Sequence, residues 1–394
     1  MQATESLPIA GIDTLLPWLR VLALPGLPRY TKARLVRRYG TPQALIEAAC
    51  KIDDADDHAA HEHVEQVAGT DEEVMSPQLV KALRAPVAPR LRKLAEETLA
   101  WAALHGNHLV TLNDAAYPPP LREIADPPLL LHAQGDVALL QRTAFGVVGS
   151  RTCTAQGSAN AQRFAQALSA AGLAIVSGLA LGIDAAAHKG GLAERGSTIA
   201  VMGTGIDMIY PASNAALAAR IRSEGCLLSE HALGTPPRAH HFPVRNRIIS
   251  GLSRGVLVVE AAERSGSLIT AHLAAHQGRD VFAVPGSIHS SLSKGCHKLL
   301  REGAKLVETV DDIFKEYSLP RALSEAQVES EMLEEITDAA RALLTVLSYD
   351  PMPADELAMR LQLDAAATQA SLLALELAGV VERLPGGVFQ RLKR

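Results

Sequence analysis

Between Phe145 and Val284 the sequence repeats one pattern: a short apolar run, a turn of small or glycine residues, then an amphipathic stretch of helical length. The runs are Phe145-Gly146-Val147-Val148, Leu173-Ala174-Ile175-Val176 and Thr198-Ile199-Ala200-Val201-Met202, followed by Cys226-Leu227-Leu228, Val256-Leu257-Val258-Val259 and Val281-Phe282-Ala283-Val284. A strand that is apolar at every position must be buried on both faces, and helices in the crossovers are what bury it. The pattern predicts an α/β fold over residues 106–318: an extended, Rossmann-like, doubly wound and mostly parallel sheet.

The flanks read differently. Residues 1–105 carry helical spacing in Leu15-Leu16-Pro17-Trp18-Leu19 and Lys32-Ala33-Arg34-Leu35-Val36, interrupted by Pro25-Gly26-Leu27-Pro28. A short helix, a tight turn and a basic second helix (Lys32, Arg34, Arg37, Arg38) suggest a helical domain of SAM or helix-hairpin-helix type. Pro28 stands where such a hairpin would carry glycine, so part of its backbone N–H donation to a phosphate is lost. Residues 330–394 read as helices over 336–347, 354–361 and 364–378. A hairpin follows, with strands at 380–383 and 388–390 joined by Pro385-Gly386-Gly387, which is the winged-helix pattern. The helix over 364–378 contains Glu376 and no Lys or Arg. A major-groove helix without cations is repelled by the phosphates it passes, so this tail reads as a protein-contacting or regulatory element.

Composition sets limits. The 394 residues suffice for two or three domains, and a formal net charge of -5 gives no general positive field. Nucleic-acid binding would need a local patch. The four cysteines (Cys50, Cys153, Cys226, Cys296) form no CxxC pair, which argues against a disulfide framework or zinc site and fits a reducing cytosol. No signal-peptide pattern opens the chain and no apolar run is long enough to span a bilayer. A soluble cytoplasmic protein without metal or cofactor is expected. The acidic, histidine-bearing stretch Asp53, Asp54, Asp56, Asp57, His58, His61, Glu62, His63 reads as solvated linker in preference to a metal site.

Ligands of open α/β sheets lie where strand carboxyl ends meet helix N-termini. Those ends read Gly149-Ser150-Arg151, Ser177-Gly178, Gly203-Thr204-Gly205, Arg264-Ser265-Gly266-Ser267 and Pro285-Gly286. Glycines let a backbone approach a ligand closely, N–H groups at helix starts attract anions, and Arg151 adds a fixed cation. Met208 replaces the third glycine of a GxGxxG fingerprint, and neither a GxxxxGK[ST] loop nor a Gly-x-Ser-x-Gly elbow occurs. Asp184 and His188, four apart on a predicted helix, could work as an acid–base pair. The plainer reading is an aspartate that caps the helix and holds the histidine. The run Phe242-Pro243-Val244-Arg245-Asn246-Arg247-Ile248-Ile249 combines a stacking ring, an amide and two guanidinium forks, the parts that hold a flexible nucleic-acid strand.

The chain resembles the bacterial DNA-processing protein A (DprA/Smf) family. The resemblance rests on Val148-Gly149-Ser150-Arg151, Ser177-Gly178-Leu179-Ala180-Leu181-Gly182-Ile183-Asp184, Met202-Gly203-Thr204-Gly205-Ile206-Asp207, Tyr210-Pro211, Leu228-Ser229-Glu230, the Phe242 run, Ser265-Gly266-Ser267-Leu268-Ile269-Thr270-Ala271 and Val284-Pro285-Gly286. It implies a non-enzymatic protein that forms a homodimer, binds single-stranded DNA, protects incoming strands in natural transformation and loads the RecA recombinase. By motif, Gly149, Ser150 and Arg151 would hold phosphates and Phe242 would lie against a base, with Arg245, Asn246 and Arg247 beside it. Gly178, Ser265, Gly266 and Ser267 would line the same pocket.

Leu181, Ala212 and Ala239 stand where members of that family commonly carry basic residues, which would shift the work to Arg151, Arg238, Arg245 and Arg247. His240 and His241 would make binding pH-sensitive near their ordinary pKa of about 6.5. Two alternatives are a nucleotide-processing hydrolase on the same scaffold and a winged-helix transcription regulator. The hydrolase would need a catalytic glutamate after the glycine loop, and none follows Ser265-Gly266-Ser267 as far as His272.

Overall fold

The computed structural model describes residues 9, 11–52, 75–318, 338–347, 349–378, 380–384 and 386–392. The acidic, histidine-bearing stretch from Asp53 to His63 lies outside the described residues. By internal contacts the chain divides into two compact units. The first holds residues 1–142 and 200–252, the second 143–199 and 253–394.

In the first unit the chain opens on five helices: α1 (Ile12–Leu22), α2 (Arg29–Tyr39), α3 (Pro42–Lys51), α4 (Pro77–Arg84) and α5 (Pro89–Ala102). Leu15, Leu16 and Leu19 of α1 share one face, and they bury it against Ala95 of α5 and Leu130. Each such leucine contributes roughly 1.5–3 kcal/mol by leaving water. Strands β1 (Asn107–Thr111) and β2 (Leu130–Gly135) flank α6 (Pro119–Glu123), and α9 (Ala215–Glu224), β6 (Cys226–Ser229) and α10 (His241–Leu252) complete the unit. β1 pairs antiparallel with β2, and β2 antiparallel with β6.

The second unit carries β3 (Ala144–Val148), α7 (Ala155–Ala170), β4 (Ala174–Ser177) and α8 (Ile183–Leu192), then β7 (Ser253–Val258), α11 (Gly266–His276), β8 (Asp280–Ala283), α12 (Lys294–Arg301), β9 (Lys305–Leu306) and α13 (Val310–Tyr317). β3 runs parallel to β4 and β7, β7 to β8, and β8 to β9. Phe145, Val147, Ile175, Leu257 and Phe282 of these strands form one core with Ala161, Phe164 and Leu168 of α7 and Ile183 and Ala187 of α8. With β5 (Thr198–Val201), where the chain passes between units, the strand order of the sheet is β1-β2-β6-β5-β4-β3-β7-β8-β9. The mostly parallel sheet is the one expected, extended by an antiparallel edge.

At the C-terminus, helices Asp338–Val346, Ala354–Leu361 and Ala365–Leu377 enclose Leu343, Leu357, Leu372 and Leu375. Strands Val381–Leu384 and Val388–Arg391 pair antiparallel, with Met352–Pro353 on the far side of the second, and Phe389 closes the core. This is the winged-helix architecture that the pattern predicts. Among the described residues no helix is long and apolar enough to cross a membrane.

Candidate nucleic-acid interface

In the second unit the chain leaves β3 for β4 on one side and β7 for β8 on the other, so the carboxyl ends of β3 and β7 form a topological switch point. Ser150 is locked there. Its N–H donates to the Glu260 carbonyl (2.7 Å), its own carbonyl accepts from Ile183 N–H (3.1 Å), and its side chain is buried. Gly182 approaches this turn at φ +72°, where a Cβ would collide with the carbonyls of Ser150 and Arg151. Gly149 is wedged between Ile183 and the Glu260 carbonyl, 2.6 and 2.8 Å from where its Cβ would stand. The turn is thus fixed from both sides, with the Arg151 side chain exposed on its outer surface.

Glu260 has a second task. Its carboxylate accepts from the Thr154 N–H (3.0 Å) and hydroxyl (2.6 Å), while the Thr154 oxygen caps α7 by accepting from Gly157 N–H (2.9 Å). Burial raises the Glu260 pKa and the Thr154 bonds oppose the rise. The N-terminus of α7, where a nucleotide-binding fold would seat a cofactor phosphate, therefore already holds an acidic side chain of the protein.

The next turn is built the same way. Gly178 N–H donates to Asp184 Oδ2 (3.1 Å) and Leu179 N–H to His188 Nε2 (3.2 Å). His188 Nδ1 meets Thr198 Oγ1 at 2.7 Å, and that hydroxyl donates to the Ile175 carbonyl (2.7 Å). The chain of donors fixes a neutral imidazole with its proton on Nδ1. Asp184 and His188 thus hold the backbone of the turn; the expected side-chain cap on α8 is absent, Gly182 standing at the N-cap, and Asp184 accepts from Gly178 instead. At the start of α11, Ser265 Oγ accepts from Ser267 N–H (3.3 Å) and lies 2.7 Å from Ser267 Oγ, with Gly266 exposed between them.

In the first unit the turn after β5 seats an aromatic ring. A Cβ on Gly203 would stand 2.9 Å from Phe242 Cδ1, so only glycine lets the half-buried ring lie there. Tyr210, itself 46% exposed, continues the surface with its ring centroid 5.5 Å from that of Phe242. α10 then turns Arg245 and Arg247 inward, 3% and 4% exposed. The Arg245 guanidinium donates to the Val201 carbonyl, and its Nε to Asn246 Oδ1 (3.2 Å). Arg247 sends Nε to Asp126 Oδ2 (2.7 Å) and its two terminal nitrogens to the Glu230 oxygens (3.2 and 2.6 Å). Burial works against this charge, but Glu230 and Asp126 outweigh it and hold the pKa above the ordinary arginine value. Of the four arginines expected to carry phosphate contacts, Arg151 and Arg238 are exposed, while Arg245 and Arg247 are committed to the interior.

Of the two histidines expected to titrate near 6.5, His241 is shifted away from its ordinary value. His231 and His241 stack at 4.3 Å, and His240 meets His241 edge-on at 4.5 Å. Burial holds His231 at about 4 despite Glu230 beside it. Burial, then His240 and Arg238, lower His241. His231 is therefore neutral at pH 6.5, and the shift of His241 runs downward from that value. The sequence reading also passed over Glu260, which ends a fully apolar run and so carried a signal, and Asp126, which carried none.

Residues 108–318 match the family described as DNA recombination-mediator protein A, and 327–387 match the DprA winged helix domain. DNA processing protein DprA of Streptococcus pneumoniae is 51% identical over 204 residues, covering 52% of this chain and 72% of that protein. Protein Smf of Escherichia coli is 41% identical over 309 residues, covering 77% and 82%. The X-ray structure of DNA processing protein A from S. pneumoniae superposes with a TM-score of 0.54 at 38% identity, spanning 76% of this chain and 99% of that one. The chain therefore belongs to the DNA recombination-mediator protein A family, the DprA/Smf proteins.

Proposed function

We propose that the protein binds single-stranded DNA and does no chemistry on it. The observation that carries this reading is Glu260 at the N-terminus of α7. With that site filled, what the switch point offers a ligand is the outer surface of the Gly149-Ser150-Arg151 turn, suited to a sugar-phosphate chain lying across it. Gly149, Ser150, Arg151, Gly178, Ser265, Gly266 and Ser267 contact phosphates in this reading. Phe242 and Asn246 meet an unpaired base, with Tyr210 extending the stacking surface. Arg245 and Arg247 are the frame beneath Phe242. The functional ranges are 1–105, 106–318 and 330–394, the protein works in the cytoplasm as a homodimer, and it passes the protected strand to the RecA recombinase.

The test is an anisotropy titration of single- and double-stranded oligonucleotides. Arg151→Ala lowers single-strand affinity about tenfold, the scale of a charge-assisted hydrogen bond, and flattens the salt dependence by about 0.7 in slope. Unchanged affinity, or a wild type that prefers duplex, overturns the reading. Light scattering at the monomer mass of 41.8 kDa would refute the dimer, and failure to speed RecA filament growth on coated strands would refute the loading role.

A further inference from the structure

Within the first unit a cavity of about 420 Å³ lies between the start of α2 and the segment that leads into β2. Part of its lining is apolar, made of Leu22, Leu27 and Pro127-Pro128-Leu129, and the rest includes Arg29, Lys32, Glu230, His231 and Arg247. The only carboxylate among these lining residues, Glu230, is taken up by Arg247. Arg29 and Lys32 are therefore two neighbouring cations that no carboxylate pairs with among the described residues, and burial together with Arg29 holds Lys32 below its ordinary pKa. Lys32 Nζ gives one hydrogen bond to the Leu22 carbonyl (2.7 Å), leaving two of its donors. His231 Nε2 is shielded from water and has no hydrogen-bond partner. α2 begins at Arg29 behind Pro28, which supplies no side-chain cap to the first turn.

Uncompensated cations, an uncapped helix start and an unmatched imidazole nitrogen, in one lining with prolines and leucines, describe an amphipathic guest. Phosphate oxygens accept from Arg29 and Lys32, while an aromatic base or deoxyribose packs on the apolar wall. Inorganic phosphate alone would leave that wall bare. We infer that this cavity is a nucleotide subsite that takes one nucleoside monophosphate unit, with its phosphate on Arg29 and Lys32 and its base against Leu22 and Pro128. The unit comes either from a bound strand or from a free mononucleotide. The site contains none of the residues assigned to the strand-binding turns, so it stands or falls apart from them.

The test is calorimetric titration with thymidine monophosphate and, separately, anisotropy of a long oligothymidylate across a salt series. Wild type is compared with the double variant Arg29→Ala/Lys32→Gln, the charge-keeping double variant Arg29→Lys/Lys32→Arg, and Lys93→Ala, an exposed cation on α5. The first double variant loses mononucleotide affinity at least tenfold, and the charge-keeping variant retains most of it. A fall of about 0.7 in the oligonucleotide salt slope, the value for one phosphate on a single strand, identifies the strand as the source. An unchanged slope with lost mononucleotide binding identifies the free nucleotide. The proposal is overturned if wild type binds neither, if the first double variant binds like wild type, or if Lys93→Ala loses as much. Arg151→Ala retains mononucleotide binding here even though it weakens the strand.

Discussion

Arg151 and Arg247 are the same side chain in two surroundings. Arg151 rides on a turn whose backbone is pinned from below by Glu260 and Ile183, and the residue itself is exposed. Arg247 is 4% exposed and fills a slot between Glu230 and Asp126. One region is made rigid by neutral backbone bonds and leaves its arginine exposed. The other uses its cations for rigidity and leaves a ring, Phe242, half-buried. The difference teaches that an arginine-rich motif specifies charge but not access; access is decided by the counterions that the fold brings.

The largest effect expected from this contrast is at Arg247. Replacing it with Met leaves Glu230, whose side chain is 9% exposed, as a buried uncompensated carboxylate. Removing one partner of such a pair costs about 3–5 kcal/mol, and converting Glu230→Gln in the same chain recovers part of it. Urea unfolding reads both. If Arg247→Met unfolded at the wild-type midpoint but released DNA, Arg247 would be a ligand contact and the two arginines would be alike.

Acid sensitivity sharpens the same contrast. His132, on β2 of the first unit, packs edge-on against Trp101 and is 3% exposed. Burial pulls its pKa from 6.5 to about 4, against the raising effects of the Ser229 backbone and Asp207. The unfolded chain therefore binds the proton first. The stability His132 contributes is complete above pH 6.5 and is lost as pH falls from there towards 4. The loss amounts to about 3 kcal/mol, at 1.36 kcal/mol per unit. Unfolding midpoints measured across this window should slope for wild type and flatten for His132→Phe, whatever that variant does at neutral pH. An unchanged slope would remove His132 from the account.

The sequence made the central strands legible because strands buried on both faces are apolar without interruption, as in Phe145 to Val148. It hid the antiparallel edge, since β2 mixes His132 and Gln134 into Leu130–Gly135 shortly after Pro127-Pro128 and so lacks the unbroken run. The switch-point turns were legible for a related reason: Gly149 and Gly182 sit where only a missing Cβ avoids neighbouring backbone. The burial of Arg247 was not, because its counterions lie 17 and 121 residues away and no local pattern announces a contact at that range. Glu260 left a local trace by ending an apolar run, but its pairing with the start of α7 was hidden likewise, for it arrives 106 residues after Thr154.

The smallest expected effect belongs to a third arginine, which bounds the other two. Arg220 on α9 pairs with Glu224 at 3.0 Å, one helical turn on, with both side chains about half exposed. An exposed pair of this kind gains little, because water screens the attraction and two long side chains must be held still. Arg220→Ala should change neither the unfolding midpoint nor single-strand affinity measurably. The same loss of one positive charge thus has three outcomes, depending on whether the guanidinium faces a ligand, a buried carboxylate or solvent. If Arg220→Ala weakened strand binding as much as Arg151→Ala, the interaction would follow net charge alone. The rigid turn around Ser150 would then have no part in placing it.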